Sequence, residues 1–384
     1  MNHSEIRKHF PILEKITYFD SAALVLKPKE ASDAIYDYYV NKSISSRTAD
    51  TPLGNEVNNT IQSVRMKVAN LLDANQDEII FTSGTTESIN LFVNMIAQLL
   101  NEGDEILLSA YNHSSNLIPW IEMAKKVGAK IKISQNIYAD INSKTKIVSL
   151  SHETNNFNQN FDIKQIAQKA HENNAYIFSD AAQSISHQKV SLEIVDAVAF
   201  STNKFYGPTG MGVLAVKGEL LTKLKPVKFG GGSVNAIDID ASWDMKCSIS
   251  AYEPGTPDIA GFFMFDKSLD FFNQVGYKQS KEILLDLSIY LHDQLSKLEN
   301  VDVYTKPGDY IALINVKGIN AQDVATYLGT KNIYTIAGIF CAPYLRNIQE
   351  HYSFLRISLG IYNNKEDIDK LVEELKNGGD FYAF

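Results

Sequence analysis

From about residue 78 to residue 215 the sequence switches repeatedly between short strand-like runs and longer helix-like runs, the pattern of a mainly parallel α/β sheet. Glu78–Phe81, Glu105–Ser109, Lys146–Ser151, the AYIFSD run ending at Asp180, Ala197–Phe200 and Met211–Val216 read as strands. Helical periods lie between them: INLFVNMIAQLL after TSGTTES, a helix beginning near Asn116, and another from about Ile163 to Glu172. In such sheets ligands collect beyond the carboxyl ends of the strands, so the polar residues just past each run are the candidates for chemistry. After Gly255-Thr256-Pro257 the texture changes. Asp258–Asn273 and Ser280–Leu298 read as long helices; YIALINV, NIYTIAG and LRISLG read as strands, with helices at about Ala321–Leu328 and Lys365–Lys376. The expectation is a large α/β domain over 16–257 and a smaller α+β domain over 258–384, joined by residues 1–15, since so short an amphipathic start rarely folds alone.

Composition narrows the classes. A formal net charge of -9, with no dense Lys/Arg run, argues against a nucleic-acid surface. The start MNHSEIRKHF lacks the apolar region of a secretory signal. The longest apolar run, within Ile89–Leu100, is broken by Asn90, Asn94 and Gln98 and is too short and polar to span a bilayer. The two cysteines, Cys247 and Cys341, exclude a disulfide framework and favour a reducing cytoplasm. No Cys/His cluster has metal-ligand spacing, so no metal is expected.

Two strand ends carry the strongest chemical signal. Lys204 lies just past the strand Ala197–Phe200, among Ser201, Thr202 and Asn203. A surface turn would explain it, but a partly desolvated lysine there can hold a carbonyl cofactor as a Schiff base. Asp180, 24 residues earlier in FSDAAQ, also ends a strand. A lysine and an acid at neighbouring strand ends are what pyridoxal phosphate (PLP) requires, the acid facing the ring nitrogen and the lysine the aldehyde. Gly84-Thr85-Thr86, between a strand and a helix, offers two hydroxyls and free N–H groups: a helix cap, a phosphate site, or both. His113 past the strand ending at Ser109 is either a structural or solvated loop histidine or a catalytic group that stacks on a planar cofactor and handles protons near neutral pH. Asn155 and Gln183 are loop amides, either of which could bond a phenolic oxygen. Arg356, inside the apolar FLRISLG, needs an anionic partner, and a substrate carboxylate suits its fork. Cys341 stands 15 residues earlier in AGIFCAP, where a cysteine is usually a small buried hydrophobe, and Cys247 carries no chemical signal.

With these residues in view the chain resembles class V, fold-type I PLP enzymes, and within them the group II (Suf-like) cysteine desulfurases and selenocysteine lyases. TSGTTESIN, NHSSNLIPW, SDAAQS, FSTNKFYGPTG, FGGG, EPGTP, GIFCAP and RISLGIYN match family blocks in order, and the likeness runs from YFDSAA to IYNNKEDIDKLVEELK. The resemblance implies a seven-stranded central sheet between helices and a PLP cofactor on Lys204. It implies that Asp180 pairs with the ring nitrogen, that Gln183 contacts the phenolic oxygen and that His113 stacks on the ring. Thr85, Thr86 and Ser201 hold the phosphate, with Asn203 where the family often has a histidine. Asn155 sits near ring and substrate, Arg356 holds the substrate carboxylate, and Cys341 takes sulfur from L-cysteine as a persulfide for an acceptor in iron–sulfur cluster assembly. The family's homodimers bring Thr256, and the Arg47 region, to the partner's site.

The sequence departs from the family on the substrate side. Ile339 and Phe340 replace the histidines that usually precede the cysteine, and Ile336 stands where an arginine is common. Asn158 replaces a glycine, and Asp50 a histidine. Two further readings therefore accompany cysteine desulfuration: another PLP lyase, epimerase or transaminase in which Cys341 is a bystander, and a non-catalytic dimeric scaffold. Retention of Lys204, Asp180 and Arg356 speaks against the scaffold, which needs none of them.

Overall fold

The computed structural model describes residues 1–48, 50–351, 353–377 and 381. A short strand β1 (Thr17–Tyr18) precedes the central sheet, which is built from β2 (Ile79–Thr82), β3 (Glu105–Ser109), β4 (Lys130–Ser134), β5 (Thr145–Ser151), β6 (Tyr176–Asp180), β7 (Ala197–Ser201) and β8 (Gly212–Val216). Its order is β2-β8-β7-β6-β5-β3-β4. All pairs are parallel except those of β8, which runs antiparallel to both β2 and β7.

The strands are apolar along their length because both faces are covered. Leu107, Val148, Leu150, Ile177, Val198, Phe200, Val213 and Ala215 face one core. Their alternates Ile106, Leu108, Ile147, Phe178, Ala197, Ala199, Leu214 and Val216 face the other. This period of two fixes the register, since a one-residue slip would exchange the two cores. It also fixes which strand ends reach the same edge of the sheet.

Beyond it, β9 (Val234–Ile237) and β10 (Trp243–Met245) form an antiparallel hairpin. β11 (Val301–Val303), β12 (Ile311–Val316), β13 (Ile333–Tyr334), β14 (Ile336–Gly338) and β15 (Phe354–Ser358) follow. Four of these make an antiparallel sheet in the order β11-β12-β15-β14, while β13 pairs in parallel with β1. The two helices expected after residue 257 occupy Ile259–Ser296, with one non-helical residue, Gly276 (φ 75°, ψ 165°), breaking them apart. That conformation is open to glycine at little cost.

The first residues lie against the C-terminal segment. The helix His3–Lys8 starts at a capping box of Asn2 and Glu5. Its Arg7 grips Asp367 with bonds of 2.7 and 3.0 Å and donates to the Tyr362 carbonyl at 2.6 Å. Among the described residues no helix is long and apolar enough to cross a membrane and no group of His, Cys, Asp and Glu could hold a metal ion. Both cysteines are free and exposed.

Candidate active site

β6 and β7 are neighbours in parallel register, Asp180 opposite Ala199, so their carboxyl ends emerge side by side. β7 runs into a tight turn, Thr202–Lys204. Buried Thr202 pins that turn: its hydroxyl donates to the carbonyls of Pro208 (2.7 Å) or Met211 (3.0 Å), and its carbonyl accepts the N–H groups of Phe205 and Gly207. Lys204 is thereby held on a rigid support over the sheet edge. Burial pulls its amine below the ordinary lysine range, assisted by Arg356 and opposed by Asp180, Asp20 and Cys341. Asp180 is 4% exposed and accepts the Ala182 N–H at 3.0 Å. Burial raises its carboxyl, while that N–H and Lys204 draw it back. Lys204 thus lies within electrostatic reach of Asp180, Arg356, Asp20 and Cys341.

At the β2 and β7 ends three hydroxyls meet the first turn of the helix Thr85–Ile96. Ser201 Oγ accepts the Thr85 N–H at 2.7 Å and lies 2.7 Å from Thr85 Oγ1. Thr86 Oγ1 lies 2.9 Å from Ser115 Oγ. The loop closes only because Gly212 has no side chain: a Cβ there would come within 2.5 Å of the Gly84 Cα. Hydroxyls and unpaired N–H groups at a helix N-terminus form a cradle for a phosphate. His113 stands beside it, its Nδ1 accepting the Ser115 N–H at 3.1 Å. Burial, then Lys204 and Arg356, lower its pKa to about 4, so the ring is neutral at physiological pH and suited to stacking. The Asn203 carbonyl accepts the Val25 N–H and the Lys27 amine (2.7 Å), tying the lysine turn to the N-terminal segment.

The arginine side differs from the sequence expectation in one respect. Arg356, in the centre of β15 and 2% exposed, already has a carboxylate: Asp20 Oδ1 lies 2.9 Å from Nη2. Nη1 donates to the Asn155 carbonyl at 3.1 Å, the Phe340 ring lies 4.6 Å from the guanidinium carbon, and buried Nε has no partner among the described residues. Asn155, expected near the ring and substrate, spends its side-chain N–H on the Phe340 carbonyl at 2.7 Å. It thereby clamps the turn that carries Cys341. Phe340 and Cys341 both have φ of 55°, a left-handed conformation that costs non-glycine residues energy. A second clamp, Ser114 N–H to the Cys341 carbonyl at 2.8 Å, holds the strained turn in place. Ile336 sits directly opposite Arg356 across β14 and β15.

Other expected residues lie further off. Thr256 is exposed, in a groove of about 270 Å³ with Ser83, Glu87, Lys228 and Glu253, and no hydrogen bond or ion pair among the described residues joins it to Lys204. Arg47 lies beside Gly232, Asp50 has a left-handed φ of 66°, and Asn158 donates to Asp309 at 3.2 Å. Two residues escaped the sequence reading. Asp20 was visible only as part of YFDSAA, and Tyr310, bonded to Gln183, sits in a strand run with nothing to mark it.

The donor set suits a planar group with a phosphate arm at the helix N-terminus, an aldehyde at Lys204 and a basic ring nitrogen at Asp180, with an anionic substrate arm reaching Arg356. Comparisons with known proteins identify the family. The family model "Aminotransferase class-V" matches residues 17–371. A probable cysteine desulfurase of Ureaplasma parvum is 34% identical, covering 97% of each chain. Another from Halalkalibacterium halodurans is 35% identical, covering 100% of this chain and 99% of its own length. Among solved structures, the cysteine desulfurase CsdA of Escherichia coli, in an S-sulfonic acid form, superposes with a TM-score of 0.91 at 29% identity over 98% of both chains.

Proposed function

Because the chain belongs to the class-V aminotransferase family, we propose that it is a PLP-dependent cysteine desulfurase, converting L-cysteine to L-alanine and passing the sulfur as a Cys341 persulfide to an acceptor in iron–sulfur cluster assembly. The observation that carries the reading is that buried Lys204 lies within electrostatic reach of Asp180, Arg356 and Cys341. Bound PLP supplies an electron sink for bonds breaking at the substrate α and β carbons.

The chain's own residues do the rest. Lys204, its amine already lowered by burial, attaches the cofactor and moves protons at the substrate carbon. Asp180 would keep the ring nitrogen charged, and Thr85, Thr86, Ser201 and Asn203 would hold the phosphate. Neutral His113 would stack on the ring, Gln183 would donate to the phenolic oxygen, and Arg356 would take the α-carboxylate. The Cys341 thiolate attacks the substrate sulfur. The carbon–sulfur bond breaks, its electron pair stays with the β-carbon, and a proton completes alanine. The clamps from Asn155 and Ser114 keep the sulfur acceptor in its turn.

We place the protein in the cytoplasm as a homodimer, with neither membrane nor nucleic acid as partner. The exposed apolar residues Phe229, Ile237, Ile239 and Trp243, on and beside the β9–β10 hairpin, support a partner subunit there, next to the groove that holds Thr256. The test is to incubate the holoenzyme with L-cysteine and measure alanine and sulfide together in wild type and Cys341→Ser. Cys341→Ser should still bind cysteine, seen as a shift of the cofactor's visible band, while sulfur release falls by about two orders of magnitude or more. Wild-type release in that variant would leave a PLP lyase that does not use its cysteine.

A further inference from the structure

Gln183 is 7% exposed, and both ends of its amide are engaged. Nε2 donates to the Ala22 carbonyl at 2.9 Å. A carbonyl can only accept, so this contact fixes which end of the amide is nitrogen. The other end, Oε1, receives the Tyr310 hydroxyl at 2.7 Å. Tyr310 lies immediately before β12 and is 8% exposed. Burial, with Glu153 adding and Arg356 opposing, holds its phenol far above the ordinary range, so it remains an O–H donor.

Tyr310 is itself supported from behind. Its ring packs against His187 at 4.6 Å between centroids, and His187 Nε2 meets Glu153 Oε2 at 2.6 Å. Gln183, Tyr310 and His187 line one enclosed cavity of about 20 Å³ together with Lys204 and Ser21. Tyr310 therefore lines the same cavity as the proposed catalytic lysine.

We propose that Tyr310 is a positioning residue: by donating to Gln183 Oε1 it locks the amide, leaving the second Nε2 hydrogen free for the phenolic oxygen of the cofactor and so setting the charge on that oxygen. The inference rests on the cofactor reading above. A donor to the phenolic oxygen favours its ionised form, so weakening that donor raises the pH at which the visible band of the holoenzyme titrates.

The experiment is a spectroscopic pH titration of that band in wild type, Tyr310→Phe, Gln183→Ala and the double variant. Tyr310→Phe is nearly isosteric and removes one hydroxyl. Its titration midpoint should rise by about half a unit to one unit, because a freed amide spends part of its time turned over. Gln183→Ala should shift the midpoint at least as far. Tyr310→Phe should add nothing in that background, since its effect passes through the missing amide. Equal shifts from Tyr310→Phe in both backgrounds would overturn the proposal. So would a variant with a lower melting temperature and an unmoved titration, the mark of a merely structural tyrosine. A wild-type protein showing no visible band after addition of PLP would instead remove the cofactor reading, and the proposal with it.

Discussion

At the residue scale the active chamber is a balance of charges in a poorly solvated space. Lys204 and Asp180 oppose each other's burial, and Arg356 and Asp20 do the same at 2.9 Å. The second pair bears on substrate binding. The fork proposed to bind an incoming carboxylate already holds one, so the two would compete for the same positive charge. Asp20→Asn keeps an oxygen acceptor for Nη2 but removes the resident charge. The difference between a charge-assisted and a neutral hydrogen bond is about 1 kcal/mol, so KM for cysteine should fall about fivefold with kcat little changed. Steady-state kinetics decide it: a raised KM would mean that Asp20 aligns the fork and does not compete with substrate. Lys204 and Asp180 were legible in the sequence because strand-end chemistry is local, and each lies within a few residues of an apolar run. Asp20 was not, because it and Arg356 are 336 residues apart and meet only in the fold, where the Asp20–Ser358 bridge lies beside the bond from Ser358 N–H to the Phe19 carbonyl. In the sequence Asn155 is an amide in a loop, and the fold adds that its side chain bonds the Phe340 carbonyl beside Cys341.

At the element scale, alternation of apolar runs disclosed six of the seven central strands with ends correct to about one residue. β4 was missed for a physical reason: KIKIS places lysines at the sheet margin, where an edge strand is protected by charge and its run looks too polar for a core. The β9–β10 hairpin was missed as well, since its exposed residues have no core to impose a pattern. The element on which the site depends most closely is β8. It returns antiparallel between β2 and β7, and its first residue, Gly212, passes against the Gly84 backbone. Gly212→Ala puts a carbon 2.5 to 2.7 Å from three backbone atoms of Gly84, none of which belongs to a flexible side chain. The strand or the cradle loop must shift, at a cost of about 1–3 kcal/mol or more. The expected result is a lower melting temperature together with loss of the cofactor's visible band on gel filtration. A variant that keeps its cofactor as wild type does would show that the cradle tolerates the displacement.

At the scale of the whole molecule, the two ends of the chain close the fold over the chamber. β1 pairs with β13, Asp20 bridges to Ser358, and the Ser358 hydroxyl donates to the Phe19 carbonyl at 3.1 Å. The N-terminal segment thus holds the strand that carries Arg356, and its own anchorage becomes a determinant of the site. That anchorage centres on Asp367, whose side chain is 1% exposed. It accepts two bonds from Arg7, one from the Asn363 amide and one from the Asn364 N–H. Such a pair gives little net stability when intact, because Asp367 has left water and Arg7 has partly done so; removing Arg7 is what costs, since the buried carboxylate then keeps only the Asn363 and Asn364 donors. Arg7→Ala should therefore destabilise the protein by about 2–3 kcal/mol, more than loss of an exposed ion pair. Urea unfolding of wild type and variant measures this directly. The double change Arg7→Met with Asp367→Leu tests the reasoning, since it leaves no buried charge behind and should recover most of the lost stability. If both variants are equally weakened, Arg7 matters through its bond to the Tyr362 carbonyl, not through Asp367. The Arg356 strand is held from this side, so Arg7→Ala should also raise KM for cysteine at temperatures well below unfolding, while the double variant restores it.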